Sequence, residues 1–275
     1  MSRSLALGRA FSSPFTLLWQ HRELILAIAR RELAARYRGS ALGVVWLLLA
    51  PLLMLAVYSF VFGVVFQVRW GGIGESRLMF AAVLFCGIAI FGLFAEVINR
   101  SPQLVLSQVN YVKKVVFPLE VLSCALVLSS AVNFLIALFV LLVFIALSMG
   151  MPPLTVLALP VLLIPFLLGL LSVSWMLAAL GVYVRDIAQL TGLLATALMF
   201  MCPVFYPLSV VPAAYQPYLW LNPMTHVVEA MRAVLIHGEL PSAATVLWWW
   251  GIALVMMVCG GLFFRRLRPG FADVM

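Results

Sequence analysis

The chain has 275 residues, of which 65% are apolar and only 9% are charged, and its net charge is +8. Soluble domains carry about 25% charged residues, so this composition excludes an ordinary water-soluble fold and predicts a chain surrounded mostly by lipid. The basic residues cluster just outside the apolar runs, which indicates membrane topology and argues against a nucleic-acid partner.

Residues 14–38 predict an amphipathic helix that lies in the membrane interface. Its apolar residues favour one side: Leu17, Leu18, Leu24, Ile25 and Ile28. Glu32 and Arg36 are four residues apart, in the favourable order for an ion pair on a helix surface. The helix serves either as an anchor alone or also as a contact for a cytoplasmic partner. Because this region is rich in arginine and its apolar runs are short, we expect no cleavable signal peptide.

Six apolar segments follow, and each predicts a helix that crosses the membrane: residues 41–66, 78–98, 121–147, 156–184, 187–201 and 245–264. We therefore expect an all-α integral membrane protein with a single domain over residues 1–275. Four arginines at the end of the interface helix precede the first span: Arg30, Arg31, Arg36 and Arg38. In this topology, 14 of the 17 Lys and Arg residues lie on the side of both termini. The positive-inside rule makes that side cytoplasmic.

Residues 99–118 connect the second and third spans and form a basic loop. The loop contains Arg100, Lys113 and Lys114 and no acidic residue, and it returns to apolar sequence at Leu119. In the predicted topology it lies on the cytoplasmic side, with a short helical turn.

Residues 202–244, between the fifth and sixth spans, are apolar and aromatic but do not have the pattern of a spanning helix. Prolines interrupt them repeatedly, among them Pro203, Pro207, Pro212, Pro217 and Pro223. A helix cannot continue through this spacing, but Asn222 as a cap and Pro223 at the first helical position predict a new helix over residues 221–237. Because such pieces are too short to cross, we expect re-entrant or interfacial half-helices on the outer side, which form a candidate gate.

The sequence contains no motif for chemistry on a bound ligand. It has no Gly-Lys pair, and therefore no phosphate-binding loop, and its three histidines are scattered without metal-ligand spacing. The four cysteines fall within apolar stretches without a pairing pattern, so we expect buried thiols at Cys86, Cys124, Cys202 and Cys259. We expect no enzyme activity, no metal and no cofactor on this chain.

Ionisable residues are rare within the apolar segments. Glu96 lies one turn from the cytoplasmic end of the second span, where it either pairs with Arg100 or serves as a proton relay. In the gate region, Glu229 and Arg232 lie one turn apart beside His226. They form either a local salt bridge, or a polar contact for a passing substrate or a gate latch.

Aromatic residues recur along the first span. Tyr58, Phe62 and Phe66 are four residues apart and so lie on one stripe of a helix, with Trp46 at its inner end. The stripe either faces lipid or the packed core, or it forms a conduit for sugars, since aromatic faces stack on pyranose rings.

Four motifs carry a resemblance to a known family: ARRELAARYRGSALGVVWLLLAPLL at 29–53, NYVKKVVFPLEVL at 110–122, PVFYPLSVVP at 203–212 and LNPMTHVVEAMRAVL at 221–235. In this order they resemble the permease subunit of ABC transporters of the ABC-2 type, specifically the polysaccharide exporters with the type V exporter fold. The O-antigen exporters are the most similar group. Capsule and teichoic acid exporters share the pattern, and the choice among these groups stays open.

The resemblance implies a homodimer in the bacterial inner membrane, assembled with two copies of a cytoplasmic ATPase that binds ATP and Mg²⁺. It implies that the substrate is a lipid-linked polysaccharide, which passes between the first and fifth spans of the two copies while the protein contacts membrane lipid. The candidate residues beside this path are those of the aromatic stripe: Trp46, Tyr58, Phe62 and Phe66. Coupling to the ATPase is implied for Asn110, Tyr111, Lys113, Lys114 and Pro118. The outer gate is implied for Phe205, Tyr206, Trp220, Asn222, Pro223, Glu229 and Arg232.

Three alternatives to polysaccharide export remain at this point. An ABC-2 exporter of drugs or small lipids would share the fold and the ATPase partner, but the PVFYP and NPMTH stretches and the first-span aromatics favour polysaccharide. A membrane-bound lipid-linked sugar transferase would need carboxylates or basic clusters at a membrane face. A passive channel would need rings of polar residues within the spans.

Overall fold

The computed structural model describes residues 14–61, 77–108 and 117–275, and every regular element within these ranges is helical. The helices are α1 (Pro14–Gln20), α2 (Arg22–Tyr37), α3 (Trp46–Phe60), α4 (Arg77–Arg100), α5 (Glu120–Ser148), α6 (Leu159–Tyr183), α7 (Ile187–Phe200), α8 (Gln216–Trp220), α9 (Pro223–Arg232), α10 (Ala243–Leu267) and α11 (Phe271–Val274). Short 3₁₀ turns and one π-helical turn, Ala233–His237, join some of them.

Five helical stretches have the length and the apolar composition needed to cross a membrane: Gly43–Phe60, Leu78–Gln103, Glu120–Ser148, Leu154–Tyr183 and Ala243–Val274. They confirm the predicted all-α membrane fold. Helix α7 is also apolar but has only 14 residues. At 1.5 Å per residue it is about 21 Å long, which is shorter than the hydrocarbon core of about 30 Å. A crossing at residues 187–201 therefore stays a prediction.

The single interface helix predicted over residues 14–38 is instead two helices, α1 and α2. His21 separates them because its backbone (φ −106°, ψ 17°) leaves the α-helical region. The apolar side of α2 is the predicted one, since Ile25 and Ile28 are buried and Leu24 packs against the core. After α2 the chain breaks at Gly39, whose φ of 85° is a conformation that glycine adopts without steric penalty.

Helix α4 lies at the centre of the molecule. In an apolar 18-residue window of its spanning stretch 61% of the residues are buried, against 6% in the stretch that contains α3. Helices α3, α5, α7 and α9 all pack against α4. As a result α3 and α7, the predicted first and fifth spans, both lie on α4 and expose most of their apolar side chains.

Helices α6 and α10 form the most closely packed pair, because small residues let their backbones approach each other. A Cβ added to Gly260 of α10 would lie 2.4 Å from the Ser172 hydroxyl of α6. That hydroxyl donates a hydrogen bond to the Met256 carbonyl at 2.5 Å. Nearer the other end of the pair, the Trp250 indole donates to the Val161 carbonyl at 3.0 Å. The two helices therefore form one rigid unit.

The helices give the molecule two ends, which we call the α2 end and the α9 end. At the α2 end, the Tyr183 hydroxyl donates to the Leu267 carbonyl at 2.8 Å and so joins the last turns of α6 and α10. At the α9 end, the Thr155 hydroxyl donates to the Val234 carbonyl at 2.6 Å and joins the turn before α6 to the turn after α9.

The cysteines depart from the prediction at one position. Cys86, Cys124 and Cys202 are buried as expected, but Cys259 on α10 is exposed. Only 22% of the residues in an apolar 18-residue window of the α10 stretch are buried. In a membrane protein the core-facing and lipid-facing sides of a helix are both apolar, so composition alone does not distinguish them.

Candidate functional site

The predicted gate region is a series of short helical pieces at the α9 end. It contains a 3₁₀ turn at Leu208–Val210, then α8, α9 and the π-helical turn Ala233–His237. The helix predicted over residues 221–237 is thus divided between α9 and the π-helical turn, and it stops at Gly238, whose φ is 72°. The outer position of this region stays a prediction.

Helix α9 begins as its sequence predicts. The Asn222 side chain accepts a hydrogen bond from the Met224 backbone amide at 3.0 Å, and Pro223 occupies the first helical position. The Asn222 amide also donates to the Leu198 carbonyl at 3.4 Å. The Asn222 side chain therefore caps a free backbone amide of α9 and also holds the start of α9 against α7.

Arg232 is the most deeply buried charge at the α9 end, with 2% of its side chain exposed. Its guanidinium pairs with Glu229 at 2.8 Å and donates to the carbonyls of Val83 on α4 (3.2 Å), Val204 (2.9 Å) and Pro203. A buried charge requires partners of this kind, and the five donors of arginine suit several acceptors at once. The predicted local salt bridge is present, but its main effect is to bind α4, the turn after α7 and α9 together. Such a buried side chain has no surface to offer a passing substrate in this conformation.

Sequence reasoning missed the glycine on which this arrangement depends. A Cβ at Gly87 of α4 would lie 2.8 Å from a terminal nitrogen of Arg232 and 3.3 Å from the Val204 side chain. A glycine within an apolar helix gives no signal of its own, because its partners are distant in sequence.

The predicted aromatic gate residues lie around the same pieces of chain. Phe205 stacks on Phe200, with ring centroids 5.9 Å apart, and the Tyr206 hydroxyl donates to the Phe200 carbonyl at 2.9 Å. Burial raises the pKa of Tyr206, with a smaller contribution from Cys202. Trp220 packs against His226, whose Nε2 lies 2.8 Å from the Trp220 carbonyl oxygen.

An apolar groove of about 640 Å³ opens beside the start of α9. Its described lining comes from α4, α6, α9 and α10 and includes Phe94, Phe166 and Trp249. None of the described residues of α3 lines the groove, so the groove is separate from the described part of the predicted aromatic stripe.

The stripe itself is described only in part. Trp46 and Tyr58 are half-buried on α3, and Tyr58 packs against the core. Phe62 and Phe66 lie outside the described residues. The exposed apolar surface of α3 is formed mainly by Leu48, Leu52, Leu53, Met54, Val57 and Phe60. The role of the stripe as a conduit stays a prediction.

At the α2 end, four charged residues form a group that we call the Glu96 cluster: Glu32, Arg36, Glu96 and Arg100. Arg36 and Arg100 both pair with Glu96, and Arg100 also lies 3.5 Å from Glu32. The predicted pair of Glu96 with Arg100 is confirmed at 3.3 Å. The predicted pair within α2 is a minor charge effect of Glu32 on Arg36, since the direct contacts of both residues are with α4: Arg36 pairs with Glu96, and Glu32 lies 3.5 Å from Arg100. This geometry favours a structural ion-pair network over a proton relay.

The Glu96 cluster binds α2 to α5 as well as to α4. The Ser129 hydroxyl of α5 donates to Glu32 at 2.9 Å, and the Asn133 amide lies 3.5 Å from Glu96. Partial burial acts to lower the pKa of Arg36, but the hydrogen bond and charge of Glu96 outweigh it and raise that pKa above its ordinary value.

The other predicted arginines of this region lie on α2 or directly after it. Arg30, Arg31 and Arg38 are exposed, and Arg31 lines a polar pocket of about 400 Å³ between α2, the end of α4 and residues 101–108. Of the predicted coupling residues, Pro118 is half-buried just before α5. The others, Asn110, Tyr111, Lys113 and Lys114, lie outside the described residues.

A second charged group at the α2 end was missed by sequence reasoning. Glu120, at the start of α5, is 4% exposed at its side chain, and both of its oxygens lie 3.1 Å from one nitrogen of Arg268. Arg268 also donates to the Phe117 carbonyl at 3.0 Å. Local patterning gave no signal, since 148 residues separate the two charges.

The fold and these two ends define a helical membrane protein of several spans, held together by buried charges at each end. Residues 23–236 match the family described as ABC-2 type transporter, and this range runs from α2 into the π-helical turn after α9. The chain belongs to the ABC-2 transporter family.

Named relatives align with nearly the whole chain. The O-antigen export system permease protein RfbA of Myxococcus xanthus is 30% identical, over 93% of this chain and 96% of the relative. A protein of the same name from Klebsiella pneumoniae is 26% identical, over 92% and 95%. The polysialic acid transport protein KpsM of Escherichia coli is 24% identical, over 87% and 91%.

Proposed function

We propose that the chain is the membrane-spanning subunit of an ATP-driven exporter that moves a lipid-linked polysaccharide across the bacterial inner membrane. The observation that carries the proposal is the near full-length similarity to two O-antigen export permeases and a polysialic acid transport protein. The chain itself supplies the passage, and a separate cytoplasmic ATPase binds ATP and Mg²⁺ and hydrolyses the nucleotide.

The proposed assembly is a homodimer that meets along α3 and α7. These two helices lie on α4, and α7 exposes large apolar residues at Leu190, Leu193, Leu194 and Phe200. In the proposed dimer, a second copy would cover part of these residues and part of the exposed side of α3. The polysaccharide would then pass between the copies, beside the predicted aromatic stripe.

In the proposed orientation, the α2 end is cytoplasmic. The exposed arginines of α2 lie at this end, and Arg265 and Arg266 lie in the last turn of α10, also at this end. Arg232, at the α9 end, is buried and paired, so it adds no solvated charge to the outer side. This distribution supports the positive-inside orientation. The segment 99–118, with α2 beside it, is then placed to receive the motion of the ATPase.

The test is to purify the chain with its ATPase in nanodiscs and measure ATP hydrolysis. The probe is the lipid-linked polysaccharide extracted from the cells that produce the chain, with a hydrolysis-deficient ATPase as control. We expect a stable complex of two chains and two ATPases, stimulated by this lipid. Stimulation by small amphiphiles alone would support a drug or small-lipid exporter instead. Failure to form a complex with the ATPase would contradict both functions.

A further inference from the structure

The two ends of the predicted coupling segment meet on neighbouring residues of α6. At its start, the Ser101 hydroxyl lies 2.8 Å from that of Ser174, and both residues are fully buried. At its far end, the indole of Trp175 donates to the Glu120 carbonyl at 3.0 Å. Ser101, at the start of the segment, and Glu120, just after its end, are therefore both bound to neighbouring residues of α6.

The start of the loop also packs closely on the last turn of α6. A Cβ added to Gly181 would lie 2.1 Å from the Pro102 carbonyl oxygen. The neighbouring group is backbone, which has no rotamer by which to move away. Residues 101–103 and α6 are consequently in direct backbone contact.

Arg268 closes the far end of the loop. It binds the Glu120 carboxylate with one nitrogen and the Phe117 carbonyl with another. A buried carboxylate left without its cation is strongly unfavourable, and the planar guanidinium can bind both groups at once. Since Arg268 directly follows α10, this contact joins the loop to α10 as well as to α6.

The α6–α10 pair connects the loop to the α9 end. The close contact of Gly260 with Ser172 keeps the two helices together. At the opposite end, the turn before α6 binds the turn after α9 through Thr155 and Val234. The described ends of the loop, the α6–α10 pair and the predicted gate region are therefore connected by successive packing contacts.

We propose that Arg268 is a positioning residue for energy coupling: it fixes the far end of residues 99–118 to α10, so that a push on this segment moves the α6–α10 pair. This inference depends on the proposed function, in which an ATPase pushes the segment. Without Arg268, Ser101 stays bound to Ser174 and the Glu120 carbonyl to Trp175, but Phe117 and the Glu120 carboxylate lose their contact with the residue that follows α10. A push on the segment then reaches α6 but is transmitted less directly to α10.

The experiment compares Arg268→Ala with Arg266→Ala, which removes the same charge from an exposed position two residues earlier. Each variant, with its ATPase, is reconstituted in liposomes, and ATP hydrolysis and transport of the extracted lipid-linked polysaccharide are measured in the same sample. For Arg268→Ala we expect an intact complex, hydrolysis close to wild type, and a fall of about fivefold in polymer moved per ATP, as expected for one residue of a coupling network. Arg268→Lys keeps the positive charge but not the planar guanidinium that binds both groups, so its ratio of transport to hydrolysis should lie between those of Arg268→Ala and wild type. Arg266→Ala should match wild type.

Other outcomes separate this inference from the proposed function. An unchanged ratio of transport to hydrolysis would overturn the positioning role, and so would a parallel loss of both activities with loss of the complex. If Arg268→Ala does not fold, Glu120→Gln provides the test, because it removes the charge pair while keeping the backbone carbonyl that binds Trp175. A wild-type complex that hydrolyses ATP without moving polysaccharide would contradict the proposed function instead.

Discussion

Each end of the molecule contains a group of paired charges, Arg232 with its partners at the α9 end and the Glu96 cluster at the α2 end, but the partners differ in kind. At the α9 end, Arg232 is 2% exposed and binds three backbone carbonyls and one carboxylate. In the Glu96 cluster at the α2 end, side chains bind side chains, and Glu96, Arg36 and Arg100 are 21%, 32% and 39% exposed.

This difference indicates which of these two groups of contacts can rearrange more easily. Backbone carbonyls occupy positions fixed by their helices and turns, so Arg232 has one geometry in which all its bonds form. Two arginines and two carboxylates can exchange partners, and Arg100 already lies within 3.5 Å of both Glu32 and Glu96. Partial exposure also lowers the cost of separating each pair, because water replaces the lost partner. The Glu96 cluster therefore suits a part that shifts during a transport cycle, whereas the contacts of Arg232 at the α9 end, like those of Arg268 at the α2 end, keep their arrangement.

The largest effect should come from breaking the α9 end. Arg232→Ala leaves the Glu229 carboxylate without its cation and the carbonyls of Val83, Pro203 and Val204 without this donor. Removing one partner of a buried charged network typically costs about 3–5 kcal/mol. We expect the free energy of unfolding, measured by denaturation in mixed micelles, to fall by that amount. Arg185→Ala, which removes an exposed arginine, is the control. A loss below about 1 kcal/mol would mean that the buried network is not the main support of this end.

The next effect tests the backbone contact at the α2 end. Gly181→Ala places a Cβ 2.1 Å from the Pro102 carbonyl oxygen, and we expect this overpacking to cost about 1–3 kcal/mol. Gly169→Ala on the same helix is the control, since its Cβ would meet nothing within 4 Å. Thermal unfolding of both variants in the same detergent would compare them. Equal melting temperatures would contradict the close packing of residues 101–103 on α6.

A smaller effect is expected from the exposed pairs of the Glu96 cluster. A double-mutant cycle with Arg36→Ala and Glu96→Gln should give a coupling energy of about 1 kcal/mol or less, because water screens both side chains. The coupling energy should fall further when the salt concentration rises, since exposed charges are screened by ions. Arg232 should be insensitive to salt under the same conditions. A coupling energy that does not depend on salt would remove the distinction between the two ends.

Local sequence patterns predicted the features that local physics determines. Hydropathy located the spanning helices. Helices α4, α5, α6 and α10 each begin and end within three residues of the ends of the predicted segments. The cap at Asn222 and the ion pairs of Glu96 with Arg100 and of Glu229 with Arg232 follow from spacings of one helical turn or less.

The long-range contacts that define the site could not be predicted from local sequence patterns. Arg36 reaches Glu96 across 60 residues, Arg232 reaches Val83 across 149, and Arg268 reaches Glu120 across 148. Helical periodicity identifies the side of a helix that is polar, but not the helix that will pack against it. In α4, α6 and α10, whose sides are nearly all apolar, even that signal is weak. The close approaches of helices at glycines depend on which helices pair, so the sequence does not predict them either.

The smallest expected effect concerns a single hydrogen bond next to the Arg232 network. Tyr206→Phe removes the hydroxyl that donates to the Phe200 carbonyl at 2.9 Å but keeps the ring. Because this group is only partly buried, water can replace the lost donor, and we expect a loss of about 0.5 kcal/mol, the low end for a single hydrogen bond, in the free energy of unfolding. Tyr215→Phe, at an exposed tyrosine of the same region, is the matched control. If Tyr206→Phe were as damaging as Arg232→Ala, the stability of the α9 end would depend on the whole turn after α7 and not on the buried guanidinium.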